Sequence, residues 1–282
     1  MTTRLALVRA PGPRLADGIV THIQRESVDV ALAEAQWRAY RSALEGHGWR
    51  TVEAPPADEC PDAVFIEDTV VAFGGHAVLA RPGAEARRAE VAEVGRVIGG
   101  LGVTTSTITA PATLDGGDVL KVGSTVYVGR GGRTNAAGVA QLADALTPLG
   151  ATVIEVPVTR VLHLKSAVTA LPDGTVIGYP PLVDDPSLFE RFLAVPEESG
   201  SHVVLLDDRH LLMAADCPRT ARMLEDLGYR PVPVDISEFQ KLEGCVTCLS
   251  VRLRQLTTSS GPPVGWIRDR PSTEARKHVR GL

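Results

Sequence analysis

Apolar and polar positions along the chain fall into one recurring order: a helical stripe, a glycine, then a short alternating run. The stripe is clearest from Val28 to Leu44, where Val30, Ala33, Trp37, Tyr40 and Leu44 share one face. Alternating runs follow Gly48, Gly102, Gly150 and Gly228, as in Leu149-Gly-Ala-Thr-Val-Ile-Glu-Val-Pro. Glycine just past a helix C-terminus supplies the left-handed cap, and the alternation behind it predicts a strand. A hairpin precedes each such helix. Asp118–Val122 and Thr125–Gly129 flank Gly123-Ser124, while 168–171 and 175–178 flank Pro172-Asp-Gly174. A third pair, 203–206 and 210–213, flanks Asp207-Asp208.

The repeating unit is therefore β-β-α-β, about 50 residues long, and about five such units fill the chain. The interval between Gly150 and Gly228 is longer and has room for a degenerate unit. Closed into a ring, five units make a five-bladed α/β propeller with pseudo-five-fold symmetry. An open α/β sheet with mixed strands is the alternative. No Gly-x-Gly-x-x-Gly or P-loop pattern follows a strand, so a nucleotide site has no local support.

Composition narrows the class. The 282 residues suffice for a core without disulfide staples. At 44% hydrophobic and 22% charged the chain reads as an ordinary globular protein, and 27 Gly and 20 Pro fit many tight turns. A net charge of −5 argues against a nucleic-acid partner and does not repel small cations. No apolar run approaches the roughly 20 residues of a membrane span, and the first ten residues turn polar too soon for a signal peptide. Four cysteines are too few for a disulfide scaffold, so a reduced, cytoplasmic location is expected. Residues 1–257 read as one catalytic domain, and 258–282 as a flexible or loosely docked extension.

Four segments carry candidate chemistry. Cys245-Val-Thr-Cys248 lacks the second ligand pair that zinc would want, and it leads into a strand rather than opening a helix as a redox pair does. Two buried structural thiols, or one nucleophile with a histidine from elsewhere in the chain, are the readings left. Pro61-Asp62-Ala-Val-Phe-Ile-Glu67-Asp68 sets carboxylates in an apolar stretch, either bonded to backbone amides at a sheet end or receiving a cationic group. Thr113-Leu-Asp115-Gly-Gly-Asp118 is a turn that also has an acid to orient a histidine. Leu162-His163-Leu-Lys165-Ser166 alternates like a strand with His163 and Lys165 on one face.

Taken together these segments resemble the dimethylarginine dimethylaminohydrolase family of the guanidine-modifying, amidinotransferase-like superfamily. The resemblance spans about residues 4 to 256. It rests on the two acidic segments and the histidine segment above, and on Leu15-Ala-Asp-Gly18, Arg81-Pro-Gly-Ala84, Arg133-Thr-Asn135 and Thr247-Cys-Leu-Ser250. It implies the five-bladed propeller and hydrolysis of Nω-methylated arginine to citrulline and an alkylamine. It further implies Cys248 as nucleophile, His163 as general acid and base, and Asp115 as the acid that orients His163. Asp68, with Glu67 beside it, would hold the guanidinium. Arg87 and Arg133 would clamp the substrate carboxylate, and Asp62 the α-amine, helped by the carbonyls near Val20 and Leu242. Cys245 has no role in that scheme.

Arginine deiminases and amidinotransferases resemble the chain around the histidine but carry His-x-Asp where this chain has Lys165. Loss of that carboxylate removes hydrogen-bond demand at one guanidinium edge and leaves room for N-methyl groups. No cofactor or metal is implied. The expected partner is a small cationic guanidino substrate, with no nucleic acid and no membrane, and a homodimer is left open. Alternatives are a hydrolase or deiminase of another guanidino compound, a non-catalytic propeller that binds arginine-like ligands, and a thiol-redox protein.

Overall fold

The computed structural model describes residues 3–256, so the extension expected over 258–282 lies outside the described residues. The first unit contains β1 (Thr3–Val8), α1 (Val30–Gly46) and β2 (Arg50–Glu53). The second contains β3 (Val70–Phe73), β4 (His76–Leu79), α2 (Glu90–Gly100) and β5 (Thr104–Thr107). The third contains β6 (Val119–Val122), β7 (Thr125–Arg130), α3 (Ala136–Leu146) and β8 (Thr152–Pro157). The fourth has β9 (Val168–Ala170), β10 (Val176–Gly178) and β11 (Phe192–Ala194). The fifth has β12 (Val203–Leu205), β13 (His210–Ala214), α4 (Pro218–Asp226) and β14 (Arg230–Val234). A short helix, α5 (Ser237–Gln240), precedes the final strand β15 (Val251–Leu256).

Each unit makes one three-stranded sheet, and β15 returns to complete the first as β15-β1-β2. In every sheet the middle strand is antiparallel to one neighbour and parallel to the other. In the third, for example, Val119 faces Val128 across the hairpin and Thr125 faces Thr152 across the crossover. This is the five-bladed α/β propeller. Strands β15, β3, β6, β9 and β12 all border one cavity of about 610 Å³, so they are the inner strands around the axis.

The helices cover the outside of the sheets with the stripes read from sequence. Helix α1 buries Ala33, Trp37, Tyr40 and Leu44, and its first turn is capped by Asp29, which accepts from Leu32 N at 3.0 Å. Gly48, Gly102, Gly150 and Gly228 all have φ between 75° and 89°, the left-handed conformation expected of the caps. The long interval before Gly228 is the fourth unit, which has no α-helix. Two short 3₁₀ turns, Pro180–Leu182 and Pro186–Leu188, replace it. Proline lacks the N–H that an extended helix needs, which accounts for the substitution. No helix among the described residues is long and apolar enough to cross a membrane.

Candidate active site

Four of the five inner strands are approached through a turn that carries a candidate site residue. Asp68 lies in the turn before β3, Asp115–Asp118 before β6, His163 before β9 and Cys248 before β15. The ring thus gathers residues more than a hundred positions apart at one end of its axis. A small pocket of about 20 Å³ is bordered there by Asp62, Asp68, Arg87, Arg133, His163 and Cys248, together with Ile19, Leu162 and Leu242.

The segment around His163 is not the strand its alternation predicts. Leu164–Ser166 forms a 3₁₀ turn, and Leu164 N donates to Asp118 Oδ1 at 2.9 Å instead of to a neighbouring strand. Asp118 also accepts from Thr134 Oγ1 at 2.6 Å, and that hydroxyl receives Asp115 N at 3.1 Å. Asp118 and Thr134 therefore fix both the histidine turn and its acid, a role the sequence reading did not give them. The signal was Asp118 itself, three positions after Asp115. Burial raises its carboxyl to about 6, against the opposing pull of His163, Thr134 and Leu164 N.

His163 Nε2 meets Asp115 Oδ2 at 2.9 Å, and Nδ1 lies 3.8 Å from Asp68 Oδ1. Burial would lower the imidazole, but Asp68, the hydrogen bond to Asp115 and the charge of Asp118 outweigh it. The pKa is raised to about 9, so the ring is an imidazolium at neutral pH. Asp115 Oδ1 accepts from Gly83 N at 2.8 Å, which brings the Arg81–Ala84 motif against the site. Gly83 packs on the Arg133 backbone so closely that a Cβ would fall 2.3 Å from Arg133 O. Gly117 N donates to Asp68 Oδ1 at 2.8 Å, and a Cβ there would lie 2.6 Å from Asp68 and 2.7 Å from His163. Any other residue at 117 would force the carboxylate and the ring apart.

Asp68 is the most committed carboxylate. Burial opposes its charge, yet His163, Arg87 and the Gly117 amide hold it at about 2. Arg87 Nη1 reaches Asp68 Oδ2 at 2.5 Å, and its Nε and Nη2 bind Glu90 at 3.0 and 2.8 Å. Nη2 also donates to the carbonyls of Asp62 and Phe65. The expected carboxylate clamp is thus brought to the pocket, but its guanidinium is spent on Asp68 and Glu90. Arg133 borders the same pocket with no hydrogen bond or ion pair to another described residue. Asp62 accepts from Ile19 N at 3.0 Å, and burial raises its carboxyl despite Arg87, Ile19 N and Arg133. Leu242 and Ile19 border the pocket, whereas the neighbouring Val20 packs against the core. Asp68, Asp115 and His163 also present ligand-capable atoms within 4.8 Å of one another. Their oxygens are already taken by Arg87, Gly117, Gly83 and His163.

Glu67 and Lys165 do not join this group. Glu67 Oε1 pairs with Lys165 Nζ at 2.6 Å and Arg252 Nη2 at 3.0 Å, and all three border the large axial cavity. Glu67 Oε2 is buried without a hydrogen-bond partner. Its backbone does serve the site, since Glu67 N donates to Cys248 O at 3.1 Å.

The two cysteines lie in one turn, with Cys248 N donating to Cys245 O at 3.1 Å and the sulfurs 3.3 Å apart. The hydrogen bond with Cys245, burial, and the carboxylates Glu67 and Asp68 push the Cys248 thiol up. Ile19 borders the pocket, and the segment that carries it is held by Glu243. Glu243 accepts from Thr21 N and His22 N, both at 2.7 Å, and adopts φ 60°, uncommon for a residue with a side chain. Nothing in its local sequence announces that role.

An N(G),N(G)-dimethylarginine dimethylaminohydrolase from Streptomyces coelicolor is 65% identical over 256 residues, covering 91% of this chain and 99% of that one. The chain belongs to the dimethylarginine dimethylaminohydrolase family. A family member from Pseudomonas aeruginosa is 34% identical over 87% of this chain and 98% of its own. A solved structure of the enzyme from that organism, a cysteine-to-serine variant complexed with citrulline, superposes with a TM-score of 0.83 at 32% identity. The match covers 90% of this chain and 100% of that one. No protein-family profile matches the chain.

Proposed function

We propose that this dimethylarginine dimethylaminohydrolase family member hydrolyses Nω-methylated arginine to citrulline and methylamine or dimethylamine, with Cys248 as nucleophile. The observation that carries the reading is His163, held as an imidazolium between Asp115 and Asp68 in the pocket that Cys248 borders.

In the unliganded arrangement Arg87 neutralises Asp68. The substrate guanidinium takes over Asp68, and Arg87 then joins Arg133 on the substrate carboxylate while Asp62 meets the α-amine. The bound cation offsets the field of Asp68 and favours the Cys248 thiolate. Attack on the guanidinium carbon gives a tetrahedral adduct, and His163 gives its Nδ1 proton to the departing amine. The resulting S-alkylthiouronium is cleaved by a water that His163 deprotonates, which releases citrulline. Lys165 is turned to Glu67, so no carboxylate grips the far edge of the guanidinium, and this favours N-methylated substrates. The reading needs no cofactor, metal or nucleic acid, and includes a cytoplasmic location.

Separate incubations with dimethylarginine, monomethylarginine, arginine and agmatine, with ureido product and released amine measured for each, test it. Turnover of the two methylated substrates is expected. Turnover of arginine alone would overturn the reading.

A further inference from the structure

Cys245 has no part in the hydrolysis just described, yet its sulfur is buried 3.3 Å from that of the nucleophile. The pair sits in a turn closed by the hydrogen bond from Cys248 N to Cys245 O. Such a turn brings its first and last Cα atoms within about 7 Å, and a disulfide spans about 4.4–6.8 Å between Cα atoms. The backbone therefore already has the span a disulfide needs, and the sulfurs have only to close on each other. The two thiols also differ in access. Cys248 borders the small pocket, whereas Cys245 does not, and its sulfur meets Thr247 Oγ1 at 3.2 Å. The other cysteines do not share this arrangement: the Cys217 thiol donates to Ala214 O at 3.0 Å, and Cys60 lies in a separate turn.

We propose that Cys245 is a resolving thiol, and that peroxide converts the pair to a reversible disulfide that switches the hydrolase off. The switch rests on Cys248 being the nucleophile. The oxidant is a small hydroperoxide, able to enter a pocket with room for little more than a water molecule. The Cys248 sulfur attacks one peroxide oxygen, the O–O bond breaks, and the leaving hydroxide takes up the thiol proton to give water. Cys248 is then a sulfenic acid. The Cys245 thiolate attacks the Cys248 sulfur, the S–S bond forms, the S–OH bond breaks, and the hydroxide leaves as a second water. Two thiols have lost two electrons and two protons, and one peroxide has become two waters. A dithiol reverses the step through a mixed disulfide. Without a resolving thiol the sulfenic acid would be open to further, irreversible oxidation.

The test exposes the full chain to hydrogen peroxide, then measures citrulline formation and maps cysteine linkages by mass spectrometry under non-reducing conditions. The expected result is a peptide joining Cys245 to Cys248, a loss of activity of about tenfold or more, and recovery in dithiothreitol. Cys245→Ser is expected to retain citrulline release but to lose it irreversibly under peroxide, with oxygen atoms added to Cys248. Linkage of the two cysteines without loss of activity would overturn the proposal. So would wild-type inactivation with added oxygen and no linkage. Linkage mapping does not depend on the identity of the substrate. A protein that forms the disulfide but never releases citrulline would therefore overturn the proposed function and the switch, while leaving the thiol chemistry intact.

Discussion

Glu67 and Asp68 are neighbours in sequence and serve opposite cavities. Glu67 turns to the roomy axial cavity of about 610 Å³, Asp68 to a cleft of about 20 Å³. In the large space the charges answer one another, one carboxylate against Lys165 and Arg252, and most of the remaining lining is aliphatic. In the small one the charges are shifted: an imidazolium, a thiol beside carboxylates, and an arginine paired with Asp68. Reactivity follows the perturbed groups rather than the available volume.

The contrast can be broken most directly at the nucleophile. Cys248→Ser should lower citrulline formation by about 10⁴-fold or more, while calorimetry still detects methylarginine binding. Wild-type turnover in that variant would remove the small pocket from the chemistry. Asp115→Asn should cost about 10²- to 10⁴-fold in kcat. It also has a pH signature. The native imidazolium is present below its raised pKa, so activity should fall as pH rises through about 9. Removing a carboxylate that raises that pKa should move this limb to lower pH, and an unmoved limb would separate Asp115 from His163.

The two arginines should part company. Arg133→Ala should raise KM by about 10- to 100-fold with little change in kcat, as expected for loss of charged hydrogen bonds remote from the reacting carbon. Arg87→Ala should chiefly raise KM as well. It should also lower stability by about 3–5 kcal/mol, because Asp68 and Glu90 are left buried without their cation. Equal denaturation midpoints for the two variants would show that Arg87 is not structural. The smallest catalytic effect belongs to the axial cavity. Thr169 donates to Ser201 O and accepts from Val203 N, so Thr169→Val should cost about 1–3 kcal/mol of stability yet leave kcat/KM within about twofold. A large kinetic defect there would mean that the two spaces communicate.

Much of this was legible in the chain because local chemistry allowed few alternatives. Gly48, Gly102, Gly150 and Gly228 stand where a left-handed cap is required, and hairpin turns such as Pro172-Asp-Gly174 announce themselves. The missing helix of the fourth unit was legible only as an overlong interval, although Pro180, Pro181 and Pro186 explain it. The misread strand at 162–166 shows the limit of alternation. Two of its backbone amides go to Asp118 and to the turn itself, and neither partner is visible from local pattern. Direction was equally hidden. Sequence places Glu67 beside Asp68, but consecutive residues of a tight turn project differently, and only the ring reveals which cavity each one meets. The saturation of Arg87 depends on Glu90, one turn along, and the latch at Glu243 depends on a segment more than two hundred residues away. Long-range partners of this kind have no period to betray them.

The final strand has a temporal consequence. Because β15 pairs with β1 and Cys248 lies just ahead of it, the proposed nucleophile is the last of the pocket's side chains to leave the ribosome. Asp68, Asp115 and His163 can be assembled on a nascent chain that still lacks Cys248. Cys248 and the strand that closes the ring therefore arrive together.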